Sequence, residues 1–199
     1  MSALLSTAYL SPEEYLYGEN DRVEGTRHEY VAGQVYAMMG ASREHNLLTS
    51  KLSFTLGLHL RGKPCQVFQS DMKVGIRTLS AEYFYYPDVQ VTCAEEQERY
   101  YNTSPCLIIE VLSDSTARTD RTEKLAHYRL LPSLQEYMLC SQDFPAIELY
   151  RRSTDWKVER FIAGQSVTLD SIQLELKVSD LYGFLLTPET NNAPQDSAS

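Results

Sequence analysis

Two segments decide the fold of this 199-residue chain: Tyr86-Pro87-Asp88-Val89-Gln90-Val91 and Pro105-Cys106-Leu107-Ile108-Ile109-Glu110-Val111. The second segment is a short apolar run, which predicts a buried β-strand. Its acidic residue, Glu110, lies 22 residues after Asp88. A carboxylate is costly to bury unless a cation or hydrogen-bond donors pair with it. We therefore predict that Asp88 and Glu110 lie on neighbouring strands and share a divalent cation.

The composition is that of an ordinary globular protein, with 43% hydrophobic and 23% charged residues. The formal net charge is −9, whereas a general nucleic-acid binder is normally basic. This negative charge argues against tight non-specific DNA binding. It is compatible with an enzyme that binds phosphate through a metal ion. The segment 118–129 is the exception, since four Lys or Arg residues outnumber its two acids.

The chain shows no sign of membrane insertion or of a metal-binding cysteine motif. No run approaches the roughly 18 apolar residues of a membrane span. The first residues lack the basic region and long apolar stretch of a signal peptide, so we expect a cytoplasmic protein. The four cysteines form no CxxC pair, which predicts four free thiols in a reducing compartment rather than a zinc site.

Apolar periodicity and capping residues predict alternating helices and strands. We expect helices at 11–18, 42–61, 121–131 and 178–184, the third opened by an Asp120–Glu123 capping box. The segments 65–69 and 72–76 are expected to form two strands or one bent strand. Further strands are expected at 83–91, 107–112, 134–139, 146–150 and 156–162, and a hairpin at 27–38. This order predicts a mixed α/β or α+β fold, a central mixed β-sheet flanked by helices. We expect one domain over 1–186 and a disordered tail over 187–199.

The acidic pair and a following lysine suggest phosphodiester hydrolysis. That reaction needs a cation to offset charge on the phosphoryl oxygens and to acidify the attacking water. Mg²⁺ suits this role, since it takes one or two carboxylates plus waters and substrate oxygens. The backbone carbonyl of Val111 is a further candidate ligand beside Asp88 and Glu110. Lys124 lies on the next predicted helix, from which its ammonium could orient the water and stabilise developing charge.

The order and spacing of several short stretches resemble a known family. They are 28–36, His45, 70–74, 87–89, 107–113, 120–124 with Tyr128, and 136–137. Together they resemble the PD-(D/E)xK nuclease superfamily and, more narrowly, the Uma2 type of restriction-endonuclease-like proteins.

The resemblance carries expectations about fold, reaction and site. It implies a restriction-endonuclease-like fold, DNA as substrate, Mg²⁺ or Mn²⁺ as cofactor, and a homodimer that cuts two strands. It adds Glu29 to the catalytic set of Asp88, Glu110 and Lys124. It also suggests accessory roles for three further residues: His45, Asp71 and Tyr128.

One departure from the superfamily pattern leaves a second interpretation open. The lysine expected two residues after the second acid is replaced by Leu112, so Lys124 would have to supply the ammonium from the adjacent helix. If Lys124 points elsewhere, the site lacks its cation. Glu110 could also pair with Lys124 or with an arginine as a purely structural ion pair. The chain would then be a catalytically inactive nuclease fold acting as an interaction or regulatory module. A glycosidase acid–base pair is a third interpretation, disfavoured because Trp156 is the only tryptophan.

Overall fold

The computed structural model describes residues 3–4, 9–21, 25–183 and 185. The helices in those ranges are α1 (Pro12–Asn20), α2 (Arg43–His59), α3 (Ala117–Thr119), a π-helical segment (Asp120–Lys124), α4 (Leu125–Tyr128), a 3-10 turn (Arg152–Thr154) and α5 (Val178–Leu181). None of these described helices is both long and apolar enough to cross a membrane.

The described strands form two six-stranded sheets and one separate hairpin. The first sheet has the order β1 (Ala3–Leu4), β3 (Gln34–Ala37), β2 (His28–Val31), β6 (Glu82–Tyr85), β5 (Lys73–Arg77) and β8 (Tyr101–Asn102). The second has the order β12 (Val158–Ile162), β11 (Ala146–Arg151), β10 (Glu136–Ser141), β9 (Pro105–Leu112), β7 (Val89–Thr92) and β4 (Gln66–Gln69). The hairpin pairs β13 (Ser166–Leu169) with β14 (Leu174–Lys177).

The second sheet is mixed, because β9 pairs parallel with β10 and antiparallel with β7. Helices pack on its faces, which confirms the predicted mixed α+β architecture. Strand β9 is its centre, and all eight of its residues are buried.

Side-chain alternation along β9 sends its residues to two different cores. Leu107, Ile109 and Val111 pack in the cluster that includes the apolar face of α2. Ile108 and Leu112 pack in the cluster that includes Tyr128 of α4. Glu110 lies two residues from both Ile108 and Leu112, so its side chain is on the same face of β9 as theirs. It therefore faces the helix that carries Lys124.

Helix α2 follows its sequence signals closely. Ser42 is the N-cap, and its hydroxyl accepts a hydrogen bond from the backbone N–H of His45 at 3.1 Å. Leu48, Leu52 and Leu56 are fully buried against the sheet. His45, in the first turn of this helix, lies beside Asp88, the residue that precedes β7.

Three predicted elements differ from the observed ones. The single strand at 83–91 is wrong: β6 and β7 belong to different sheets, and the chain passes between them at Tyr86-Pro87-Asp88. The helix at 121–131 instead begins at Ala117, so the predicted capping box is wrong because Asp120 is itself helical, with φ −63° and ψ −40°. The strand at 134–139 is displaced to β10. The tail at 187–199 lies outside the described residues.

The prediction of four free thiols is wrong for two of the cysteines. Cys65 and Cys93 form a disulfide, with their Cα atoms 3.9 Å apart. They immediately flank the antiparallel pair of β4 and β7, in which Gln66 lies opposite Thr92. The pairing register brings them together, and no local spacing could reveal that. Cys106 and Cys140 are free and buried.

Candidate active site

Lys124 lies at the centre of a buried acidic cluster. Its Nζ is 2.9 Å from Glu29 Oε1, 3.3 Å from Glu110 Oε1 and 3.6 Å from Asp120 Oδ1. The exposed fraction of each of these four side chains is below 10%. Burial lowers the pKa of the Lys124 ammonium, but the three carboxylates outweigh it and hold that pKa well above its ordinary value. Lys124 is therefore charged at neutral pH.

The π-helical segment supplies two members of the cluster, Asp120 and Lys124. These residues are four apart, and both side chains point into the cluster. π-Helical turns inside helices occur frequently at functional sites. Asp120 was absent from the predicted site residues, although its four-residue spacing from Lys124 on a helix was a usable signal. Its Oδ1 is buried and has no hydrogen-bond partner.

Glu110 links the lysine to Asp88 through its two carboxylate oxygens. Oε1 accepts hydrogen bonds from Lys124 Nζ at 3.3 Å and from the Tyr128 hydroxyl at 3.1 Å. Oε2 accepts a hydrogen bond from the backbone N–H of Asp88 at 3.3 Å. Burial raises the pKa of Glu110 well above its ordinary value, and Lys124 opposes that shift.

Asp88 is the most exposed carboxylate of the group, with 17% of its side chain accessible. Its Oδ2 accepts a hydrogen bond from the backbone N–H of Val111 at 2.7 Å and lies 3.2 Å from His45 Nε2. Burial lowers the pKa of His45, but the hydrogen bond and charge of Asp88 and a backbone hydrogen bond to Val111 outweigh it and raise that pKa. One edge of the cluster is thus formed by Asp88, which contacts both His45 and the backbone of Val111.

A cleft of about 410 Å³ opens beside Asp88. Its walls include Arg27, His45, Thr49 and Asp88. The Thr49 hydroxyl is buried without a hydrogen-bond partner. From the cleft inward, the charged groups follow in the order Asp88, Glu110 and Lys124.

Glu29 reaches the cluster from β2 of the first sheet. Its Oε1 accepts a hydrogen bond from the backbone N–H of Tyr86 at 3.3 Å, in the segment that crosses between the sheets. The Tyr86 hydroxyl in turn donates to Glu19 Oε1 at 3.2 Å and accepts from Lys73 Nζ at 3.3 Å. This network anchors the crossing segment that precedes Asp88.

The predicted site residues divide into two groups in space. Hydrogen bonds and ion pairs join Asp88, Glu110, Val111, Lys124 and the additional residues Glu29, His45 and Tyr128. Asp71 is separate: it is 73% exposed and forms an ion pair with Arg27 at the rim of the cleft.

The donor set fits a hard, oxygen-seeking cation better than a structural metal. Within the described ranges, no three or more His, Cys, Asp and Glu side chains are arranged to hold a metal ion by themselves. Asp88 and Glu110 each accept a hydrogen bond from a backbone N–H, at 2.7 Å and 3.3 Å, and Mg²⁺ takes only one or two carboxylates beside waters and substrate oxygens. The cluster has four carboxyl groups beside one lysine, which is a surplus of oxygen donors and suits a hard cation.

The family model named Uma2, described as "Putative restriction endonuclease", matches residues 12–179. The chain belongs to the Uma2 family. The match includes every predicted site residue, from Glu29 to Tyr128.

Two Synechocystis proteins and one solved structure are similar to this Uma2 chain. The uncharacterised protein slr1290 is 38% identical over 177 residues, covering 87% of this chain and 91% of its own length. The uncharacterised protein sll1609 is 36% identical over 159 residues, covering 78% of this chain and 88% of its own length. The structure, described as a "putative nuclease belonging to DUF820" from Anabaena variabilis, has a TM-score of 0.72 at 18% identity, covering 89% of this chain and 99% of that one. It confirms the restriction-endonuclease-like fold.

Proposed function

We propose that the protein hydrolyses DNA phosphodiester bonds with the help of Mg²⁺ or Mn²⁺. The observation that carries the proposal is the buried Lys124 ammonium 3.3 Å from Glu110, whose other oxygen accepts the backbone N–H of Asp88. This geometry supports the relocated lysine that the sequence requires. The description of the Uma2 family supports the same reaction class.

Asp88 and Glu110 would hold the ion, with the Val111 carbonyl as a further oxygen ligand. When bound, the ion supplies positive charge beside the phosphoryl oxygens and acidifies the attacking water. Tyr128 and Lys124 both donate to Glu110 Oε1, which keeps that carboxylate fixed in orientation. Fixed orientation of a ligand by surrounding hydrogen bonds is a general requirement of metal sites.

Lys124 would act as a positioning and charge-stabilising group, not as a general base. Its pKa is raised by three carboxylates, so it has no unprotonated population of consequence at neutral pH. A fixed ammonium can orient a water molecule by donating to it and can stabilise negative charge in the transition state. Glu29 and Asp120 hold the ammonium in place.

The substrate would reach Asp88 through the 410 Å³ cleft. Arg27 is on its wall and is 41% exposed, so it is available to a phosphate group after leaving Asp71. His45, beside Asp88, could donate to a phosphate oxygen. The acidic net charge predicts weak binding of DNA in the absence of the ion. Cutting both strands would require two copies of the site, hence a homodimer.

The first test is a calorimetric Mn²⁺ titration of the wild type, Asp88→Asn and Glu110→Gln. We expect binding in the wild type that both substitutions abolish, while Asp143→Asn, an exposed acid away from the cluster, binds normally. The titration is repeated with a short DNA duplex, because phosphate oxygens can complete the coordination of Mg²⁺-like ions. Absence of binding in both conditions, with all proteins folded, would refute the proposal and favour the inactive interaction module.

The second test is nicking of supercoiled plasmid in Mg²⁺. We expect cleavage by the wild type, and loss of cleavage with Lys124→Met although that variant still binds Mn²⁺. If the protein binds the ion but cleaves neither DNA nor RNA, the metal site is correct and the proposed reaction is wrong.

A further inference from the structure

Helix α2 carries an apolar stripe on the side opposite the sheet. Leu47, Phe54 and Leu58 are 40%, 70% and 61% exposed, although the buried face of the same helix already holds three leucines. Their spacings of seven and four residues put them on one line along the helix. Large exposed apolar groups in a contiguous line mark interaction surfaces.

Charged residues continue this line at regular positions. Lys51 lies between Leu47 and Phe54, Glu44 lies one turn before Leu47, and Arg61 follows Leu58 just after the helix end. The six positions alternate by three and four residues, which is the seam of a coiled coil. The stripe therefore consists of Glu44, Leu47, Lys51, Phe54, Leu58 and Arg61.

We propose that a second copy of this chain docks on the stripe, with the two α2 helices antiparallel about a two-fold axis between Leu52 and Ser53. In that register Leu47 meets Leu58 of the partner subunit, and the Lys51 stem and ammonium cover the ring of Phe54 of the partner subunit. Glu44 meets Arg61 of the partner subunit at both ends of the contact. Every layer of the seam is then complementary: an ion pair, an apolar pair or a cation over an aromatic ring.

A second copy fits this surface better than the other candidates. Nucleic acid would match Lys51 and Arg61 but not Glu44, and it offers little to three aliphatic or aromatic side chains in a row. Residues 187–199 offer such a surface no apolar side chain larger than proline. Gly57, beside the stripe, has open space around its missing Cβ, which allows a second helix to approach closely.

This surface would be the interface of the proposed homodimer, so the inference rests in part on the proposed function, but it is independent of the metal chemistry. The stripe is on the outer side of α2, whereas His45 and Thr49 face the cleft. Loss of the dimer should therefore leave ion binding at Asp88 unchanged.

The test is the mass of the full chain in solution, by light scattering after size exclusion over a range of concentrations. We expect a dimer for the wild type and a dissociation constant at least about tenfold higher for Phe54→Glu. Phe144→Glu is the matched control, since Phe144 is 60% exposed in a loop outside α2. Melting curves establish that both variants are folded, and a Mn²⁺ titration of Phe54→Glu separates failure of the interface from failure of the metal site.

A charge swap tests the register itself. Glu44→Arg and Arg61→Glu should each weaken the dimer by bringing like charges together at both ends, and the double variant should restore it. A monomeric wild type at about 100 μM, a dimer that Phe54→Glu leaves intact, or a double variant no better than the single ones would overturn the proposal. A monomer whose Phe54→Glu variant loses binding to a DNA duplex would assign the stripe to nucleic acid instead.

Discussion

Replacing Lys124 with methionine removes the ammonium that three buried carboxylates share. At an effective dielectric constant of about 20, the attraction is about 6 kcal/mol to Glu29 at 2.9 Å and about 5 kcal/mol to Glu110 at 3.3 Å. Desolvation of the ions offsets much of this attraction. Removing one partner of a buried ion pair therefore costs about 3–5 kcal/mol in practice. We expect Lys124→Met to lower the free energy of unfolding by that amount at pH 8 in EDTA.

The loss should depend on pH in a definite direction. Burial raises the pKa of Glu110 and Asp120, and Lys124 opposes both shifts, so without the lysine these two carboxyl groups hold protons more tightly in the folded state than in the unfolded chain. A carboxyl whose folded pKa is raised loses its stabilising contribution as pH rises through that pKa, so the variant should recover stability as pH falls from 8 to 5.5. The recovery is about 1.4 kcal/mol per pH unit for each extra proton that the folded variant holds.

Urea denaturation of the wild type, Lys124→Met and Lys157→Met at both pH values measures these differences. Lys157 is exposed, so its substitution should change stability little. Mn²⁺ should stabilise Lys124→Met at pH 8 by binding the folded state alone. A variant as stable as the wild type at pH 8 would refute the role of Lys124 as the cation of the cluster.

Three further predictions concern separate groups. Tyr128→Phe removes the hydroxyl that donates to Glu110 Oε1 at 3.1 Å, and we expect about 1–3 kcal/mol loss of stability by denaturation, together with weaker Mn²⁺ binding by calorimetry. Arg151→Met leaves the buried carboxylate of Glu136 without its ion pair, and we expect about 3–5 kcal/mol loss in urea; a loss below about 1 kcal/mol would contradict a buried pair. Burial lowers the pKa of His127, so this residue holds more protons in the unfolded chain, and its contribution to stability should fall as pH drops through about 6.5, reaching its full loss below the folded pKa. His127→Gln should flatten that part of the unfolding free energy against pH, and an identical profile in both proteins would contradict the assignment.

Local sequence signals are sufficient to predict those helices and strands that are specified by their own caps and apolar pattern. The Ser42 cap and the leucine period define α2, and the apolar run 107–112 defines most of β9. Local signals fail where tertiary contacts outweigh them. The segment 83–91 is uniformly β-forming, yet it divides between two sheets because Asp88 is tied to Val111 and Glu110 across the neighbouring strand.

The sequence by itself determined Asp88, Glu110 and Lys124 as candidates, because a carboxylate in an apolar strand requires a partner, and the resemblance to the family added Glu29. Only the tertiary structure decided that Lys124 reaches Glu110 from a helix, that Asp120 joins the cluster and that Asp71 does not. The tertiary structure likewise decided the Cys65–Cys93 disulfide, because the pairing of β4 with β7 brings the two cysteines together. Side-chain distances between segments far apart in the chain depend on strand register and on the packing of helices against the sheets, and no short stretch of residues encodes either of them.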